Sequence, residues 1–227
     1  MTFRRLYILS FLVLQVLFLG AQTRLAKPEM YIGIHGGISA SMVQFSPTVN
    51  GTSNIIQAAL PGGIGGAVFR YYGHKYCGLQ AELNYMQRGW NERFEATDTT
   101  AAGTYTRRLQ YIELPFLMHI YFGSSSFRGY VNLGPQIGYC LNDQWSGTKQ
   151  TVETAQYEKL DHPFDWGVAA GAGMYYRMKK AGALQMELRF SYSLGNYFNS
   201  SKADYFSNSH AMDLSLNVGY LWEIKSK

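Results

Sequence analysis

Near the C-terminus the chain reads SNSHAMDLSLN and sets His210, Asp213 and Ser215 close together. These are the parts of a hydrolytic triad, in which the imidazole takes the serine proton and the carboxylate orients the imidazole. In an extended chain, side chains alternate between two faces. His210 then points to one side, and Asp213 and Ser215 to the other, so no catalytic residue is assigned. The five histidines, His35, His74, His119, His162 and His210, show no metal-ligand spacing, and neither metal nor cofactor is expected. PGGIGG at 61–66 lacks the lysine and the following helix of a phosphate loop. Its glycines are read as strand positions beside inward-facing aromatics.

More chemistry resides in a scattered ionisable set: Arg70, Glu82, Arg88, Glu113, His119, Asp165, Arg177, Glu187, Arg189 and Asp213. What positions these residues is an alternation of period two. In YIELPFLMHIYFG, one face holds Ile112, Leu114, Phe116, Met118, Ile120 and Phe122. The other holds Glu113, Pro115 and His119. Segments at 78–89, 130–141, 165–177, 184–194 and 212–222 split the same way, and 31–41 and 65–72 do so more weakly. The apolar face of all these segments is free of charge, so the whole ionisable set shares the opposite face. Pro115 lacks a ladder donor, and a kink or missing rung without change of parity is expected there.

The connections alternate in length. Those at 42–61, 89–106, 142–163 and 195–209 are long, whereas GHK, GSSSFR and KKAG are short. Together these features predict an all-β fold, an eight-stranded antiparallel up-and-down barrel with long loops at one end and short turns at the other. Charged residues are 15% of the chain, against about 25% in soluble domains. The inward face is poor in lysine and rich in glycine and serine. These features place the apolar face on lipid and the ionisable set in a filled polar lumen, the outer-membrane pattern. Aromatic girdles are expected from Tyr71, Tyr72, Phe122, Tyr176, Tyr220 and Trp222 at the short-turn end. At the long-loop end they come from Tyr85, Trp90, Tyr139, Trp166 and Tyr192.

The first residues, with Arg4 and Arg5 before an apolar run and then Gly20 and Ala21, read as a signal peptide over 1–21. The barrel domain then spans 22–227. Without Arg4 and Arg5 the balance is 18 basic against 15 acidic side chains, too even to point to nucleic acid. Cys77 and Cys140 fall at opposite ends of the barrel and are not expected to bridge.

YIELPFLMHIYFG, YVNLGPQIGYCL, FDWGVAAGAGMYY and AMDLSLNVGYLW together resemble the PorT-type, or porin-family, outer-membrane barrels. The resemblance runs over about 31–222. It implies an eight-stranded barrel in a Gram-negative outer membrane, with a subset of members associated with type IX secretion and gliding. Asn217, Gly219, Trp222 and Ile224 resemble the terminal-strand signal read by the barrel-assembly machinery, with isoleucine where an aromatic is more usual.

The function expected is a non-enzymatic structural, binding or surface-assembly role through the outer loops, with a surface or secretion-complex protein as partner. A narrow solute channel is the alternative, and an outer-membrane lipid-modifying enzyme ranks behind both. Arg70 is expected to lie level with Gln80 and to pair with Glu82.

Overall fold

The computed structural model describes residues 24–47, 56–94, 102–124, 126–147, 160–178, 182–198 and 206–224. The leader expected at 1–21 lies outside them. The strands are β1 (Arg24–Pro47), β2 (Ile56–Ala58), β3 (Leu60–His74), β4 (Cys77–Phe94), β5 (Gly103–Gly123), β6 (Phe127–Gly147), β7 (Phe164–Met178), β8 (Gly182–Ser193) and β9 (Phe206–Ile224). All pairings are antiparallel, neighbours in sequence are paired in turn from β3 to β9, and β1 meets β9 to close the sheet. The short β2 pairs with β4 above β3, so it prolongs β3 and the ring has eight staves. The first and last strands are joined, with Met30 opposite Ile224 and Pro47 opposite Phe206. Closure leaves no edge inside a bilayer.

The alternation holds along every strand except β6, where a bulge beyond Cys140 shifts it by one residue. Ile34, Ile38, Leu79, Phe116, Leu133 and Val218 face out and are exposed, while Arg70, Arg88, His119 and Glu187 face in and are buried. The ladders beside Pro115 skip from Ala81–Phe116 to Asn84–Glu113 and from Pro115–Gln136 to Met118–Leu133. The register is the same on both sides of each gap, so rungs are lost and parity is kept.

Three expectations change. First, the strands run on at the long-loop end: β4 reaches Phe94, β5 begins at Gly103 and β6 reaches Gly147. The connection expected over 89–106 shrinks accordingly. One bulge accompanies this extension, where Tyr111 pairs with Cys140 and Gln110 with Asn142. Second, Tyr72 and Trp90 do not belong to the girdles; both are fully buried inside the barrel. Third, Gly62 and Gly66 lie against Ser39, Gln87 and Asn84 rather than against aromatic rings.

Gly89 marks where β4 leaves the lower barrel. Its φ is +148°, and a Cβ there would overlap the carbonyl oxygen of Arg107. Only glycine takes this backbone easily. The Ser41 hydroxyl accepts the Gly89 N–H at 2.8 Å and donates back to its carbonyl at 3.1 Å, which pins the kink to β1.

Candidate functional site: a filled polar lumen

Each lumen side chain is held by a strand position of fixed parity, so the interior forms layers. At the short-turn rim, Arg177 of β7 reaches Glu29 at 3.2 Å and Glu223 at 2.9 Å. These acids lie on β1 and β9, the two strands that close the barrel. Above the rim is a layer of rings. Tyr31, Tyr72, Tyr121, Tyr130 and Tyr175 are all buried, and Tyr72 meets Tyr121 edge-on at 4.8 Å.

The next layer contains Arg70 and His119. Arg70 is level with Gln80, as expected, but does not pair with Glu82. Its Nε donates to Gln80 Oε1 at 2.6 Å, its Nη2 to Gln185 Oε1 at 2.6 Å and its Nη1 to the Tyr72 hydroxyl at 3.3 Å. Its guanidinium also stands 5.2 Å from the Tyr130 ring centre. Gln80 passes the link on by donating to Glu82. A neutral amide thus stands where an ion pair was expected, because both Glu82 oxygens are held by Arg189.

His119 belongs to a directed chain of donors. The Asn132 amide donates to Glu187 at 2.8 Å, which turns its Oδ1 toward His119 Nδ1 at 2.7 Å. Nδ1 therefore carries the hydrogen, and Nε2 accepts from the Tyr72 hydroxyl at 3.1 Å. Arg70, Tyr72, His119, Asn132 and Glu187 form one continuous path.

The central layer is an Arg189 clamp. Arg189 Nη1 and Nη2 grip Glu82 at 2.6 and 2.7 Å, and Nε donates to Glu187 at 2.6 Å. This ties β8 to β4 across the barrel. Glu82 also accepts from Asn84 at 2.8 Å, and Asn84 Oδ1 lies 2.8 Å from His35 Nε2. Bidentate guanidinium–carboxylate contacts are among the strong hydrogen bonds.

Above it, Arg88 meets three carboxylates: Glu113 at 2.5 Å, Asp165 at 2.8 Å and Asp213 at 2.9 Å. These come from β5, β7 and β9, so one guanidinium joins four strands. Ser193 also donates to Asp165. The long-loop end is then capped by an apolar lid. Phe45, Trp90, Tyr105, Leu109, Tyr197 and Phe198 are buried together there. Tyr197 and Phe198 lie beyond β8 and are held by backbone bonds to the Ser209 hydroxyl at 3.0 and 3.3 Å. Arg107 covers Trp90 and Phe198, each at 5.4 Å, and pairs with Asp143 at 2.5 Å.

The ionisable set is therefore divided among layers. Glu82, Glu187 and Arg189 form one cluster, and Arg88, Glu113, Asp165 and Asp213 another. Arg70 and His119 lie below them, and Arg177 is at the rim. His35, Gln80, Asn84, Asn132 and Gln185 complete the network. Their strand parity marks them as inward, and a search confined to charged groups passes over the amides. Arg107 and Asp143 lay in or beside segments expected to be loops. His210 is beside Tyr192, with ring centres 5.7 Å apart, while Asp213 and Ser215 are buried inside. The triad arrangement does not form.

Strand parity places Asn217 and Gly219 inside and Trp222 and Ile224 outside, along the seam with β1. Cys77 is level with Ile120, and Cys140 with Tyr111, near opposite ends of β5. Both thiols are free.

A closed eight-stave barrel with an apolar exterior and a charged interior defines an integral outer-membrane β-barrel protein. Residues 21–199 match the family described as outer membrane protein beta-barrel domain, and the chain belongs to that family. Its residence is the outer membrane. Among solved structures it is similar to OprG of Pseudomonas aeruginosa, at 13% identity and a TM-score of 0.49, covering 86% of this chain and 96% of that one. It is also similar to Ail, the attachment invasion locus protein of Yersinia pestis, at 14% identity and 0.44, covering 86% and 99%. A third is outer membrane protein W of E. coli, at 14% identity and 0.43, covering 87% and 100%. No curated protein matches.

Proposed function

We propose that the protein is a non-enzymatic, plugged barrel that holds its long loops at the cell surface, where they bind or assemble with a partner. The supporting observation is the lumen. Arg70, Arg88 and Glu187 face its centre yet are only 0–1% exposed, and the Arg189 and Arg88 clusters cross it from wall to wall. An eight-stranded interior is just wide enough to be filled by side chains. Here the fill is bonded at every level and capped at both ends by aromatics. In this reading the long loops face outward and the short turns face the periplasm, following the asymmetry of outer-membrane barrels. Residues 1–21 are the export leader, and Asn217, Gly219, Trp222 and Ile224 are the signal for the assembly machinery. The resemblance to PorT-type barrels makes a surface or secretion-complex protein the partner class.

Planar-bilayer recording of the purified protein tests the plug. The expected trace has no steady openings. Reproducible unit steps from the wild-type protein would replace this reading with that of a narrow solute channel.

A further inference from the structure

On the outward face of β4, β5 and β6, apolar side chains give way to polar ones at one height. Tyr85, Ile112 and Tyr139 form one row across the three strands, and Gln87, Gln110 and Asn142 form the next. Above these come Arg108 beside Gln144, then Asn91 beside Thr106, then Arg93 beside Thr104. Both arginines are exposed. The acids of this region, Glu92 and Asp143, face inward, and Asp143 is held by Arg107. The outward strip is thus made of amides, hydroxyls and two arginines, with no carboxylate among its described residues. Elsewhere at this end, outside β4, β5 and β6, the described residues supply no lysine or arginine.

We infer that this strip binds the phosphorylated headgroup of an outer-leaflet lipid. The inference goes beyond the plugged-barrel reading and rests only on its orientation. At ~3.3 Å per residue on a strand tilted about 40°, Arg108 stands about 10 Å above Ile112. The headgroup zone extends roughly 5–8 Å beyond the hydrocarbon, and arginine stems bend toward that boundary. Guanidinium groups match phosphate in a forked geometry, and the amide row below donates to the remaining oxygens. Continuity with the lipid-facing band selects a lipid over a soluble anion, because a headgroup anchored in the bilayer is delivered at this height.

The test is native mass spectrometry of the full chain in detergent micelles, titrated with diphosphoryl lipid A or with dephosphorylated lipid A. The wild-type protein is expected to retain the diphosphoryl form selectively. Arg108→Gln should weaken that retention roughly 5-fold, whereas Arg93→Gln, about 20 Å above Ile112 on the same scale, should leave it unchanged. Lys75→Gln, in the opposite turn, should leave it unchanged. Equal retention of both lipids by the wild type overturns the inference, whatever the variants do, as does undiminished retention by a folded Arg108→Gln variant. Displacement by inorganic phosphate at matching concentration would assign the strip to a free anion instead. None of these outcomes depends on whether the barrel conducts.

Discussion

Arg189→Ala removes the guanidinium that grips Glu82 through two nitrogens and Glu187 through a third, all at 2.6–2.7 Å. Both carboxylates are buried, and the remaining partners of Glu82 are Gln80, Asn84 and the more distant His35. Stripping one partner from a buried ion pair costs about 3–5 kcal/mol, mostly because the remaining charge is stranded. That corresponds to roughly two to three and a half powers of ten in the unfolding equilibrium. Guanidinium-induced unfolding in phosphatidylcholine vesicles, read by loss of the heat-modifiable band, measures it. Adding Glu82→Gln and Glu187→Gln to the variant removes the stranded charges and should recover much of the loss. A single variant within about 1 kcal/mol of wild type would refute the clamp, since exposed ion pairs are worth no more than that. A triple variant no better than the single would refute the stranded-charge explanation.

Asp213→Asn should have the opposite character. Asp213 is one of three carboxylates around Arg88, and neither of its oxygens completes a hydrogen bond. Relieving like-charge repulsion there should leave stability within about 1 kcal/mol of wild type or raise it; a loss above 3 kcal/mol would mean the third carboxylate is required. Arg70→Ala should destabilise by about 1–3 kcal/mol, less than Arg189→Ala, because Arg70 hydrogen-bonds neutral amides and a tyrosine. The reverse ordering of the two variants in the same unfolding assay would count against the layered network. Removing residues 222–227 deletes the Trp222–Ile32, Glu223–Tyr31 and Ile224–Met30 rungs and the Arg177–Glu223 bond at the closing seam. That chain should fail to assemble and be degraded, while loss of 225–227 alone should be tolerated. A heat-modifiable, surface-exposed product of the longer truncation would refute the assembly role.

Strand parity was legible because lipid on one side and a narrow polar interior on the other impose opposite chemistry on alternate residues. The strand ends were not, and the reason is specific. Where the strands rise beyond the bilayer at the long-loop end, their outward side meets water and their inward side meets the lid. Val43, Phe45, Trp90, Tyr105 and Leu109 are accordingly buried inside, while Gln87, Arg108 and Gln110 lie outside. Between β4 and β5 the apolar face has changed sides without any change of register. Read with one polarity throughout, those stretches look like loops, and Trp90 looks like a girdle residue.

The sequence by itself determined the eight staves, the antiparallel order and the inward set from Arg70 to Asp213. Each of these follows from local periodicity and from the length of connections. Which inward groups meet was decided only by closure of the barrel. Glu82 lies one pair from Gln80 and Asn84 along its own strand, yet its guanidinium partner, Arg189, comes from β8 on the far wall. Arg88 draws its carboxylates from three separate strands. Partners across a lumen are set by stagger, tilt and side-chain reach, and these are properties of the closed ring that no single strand carries.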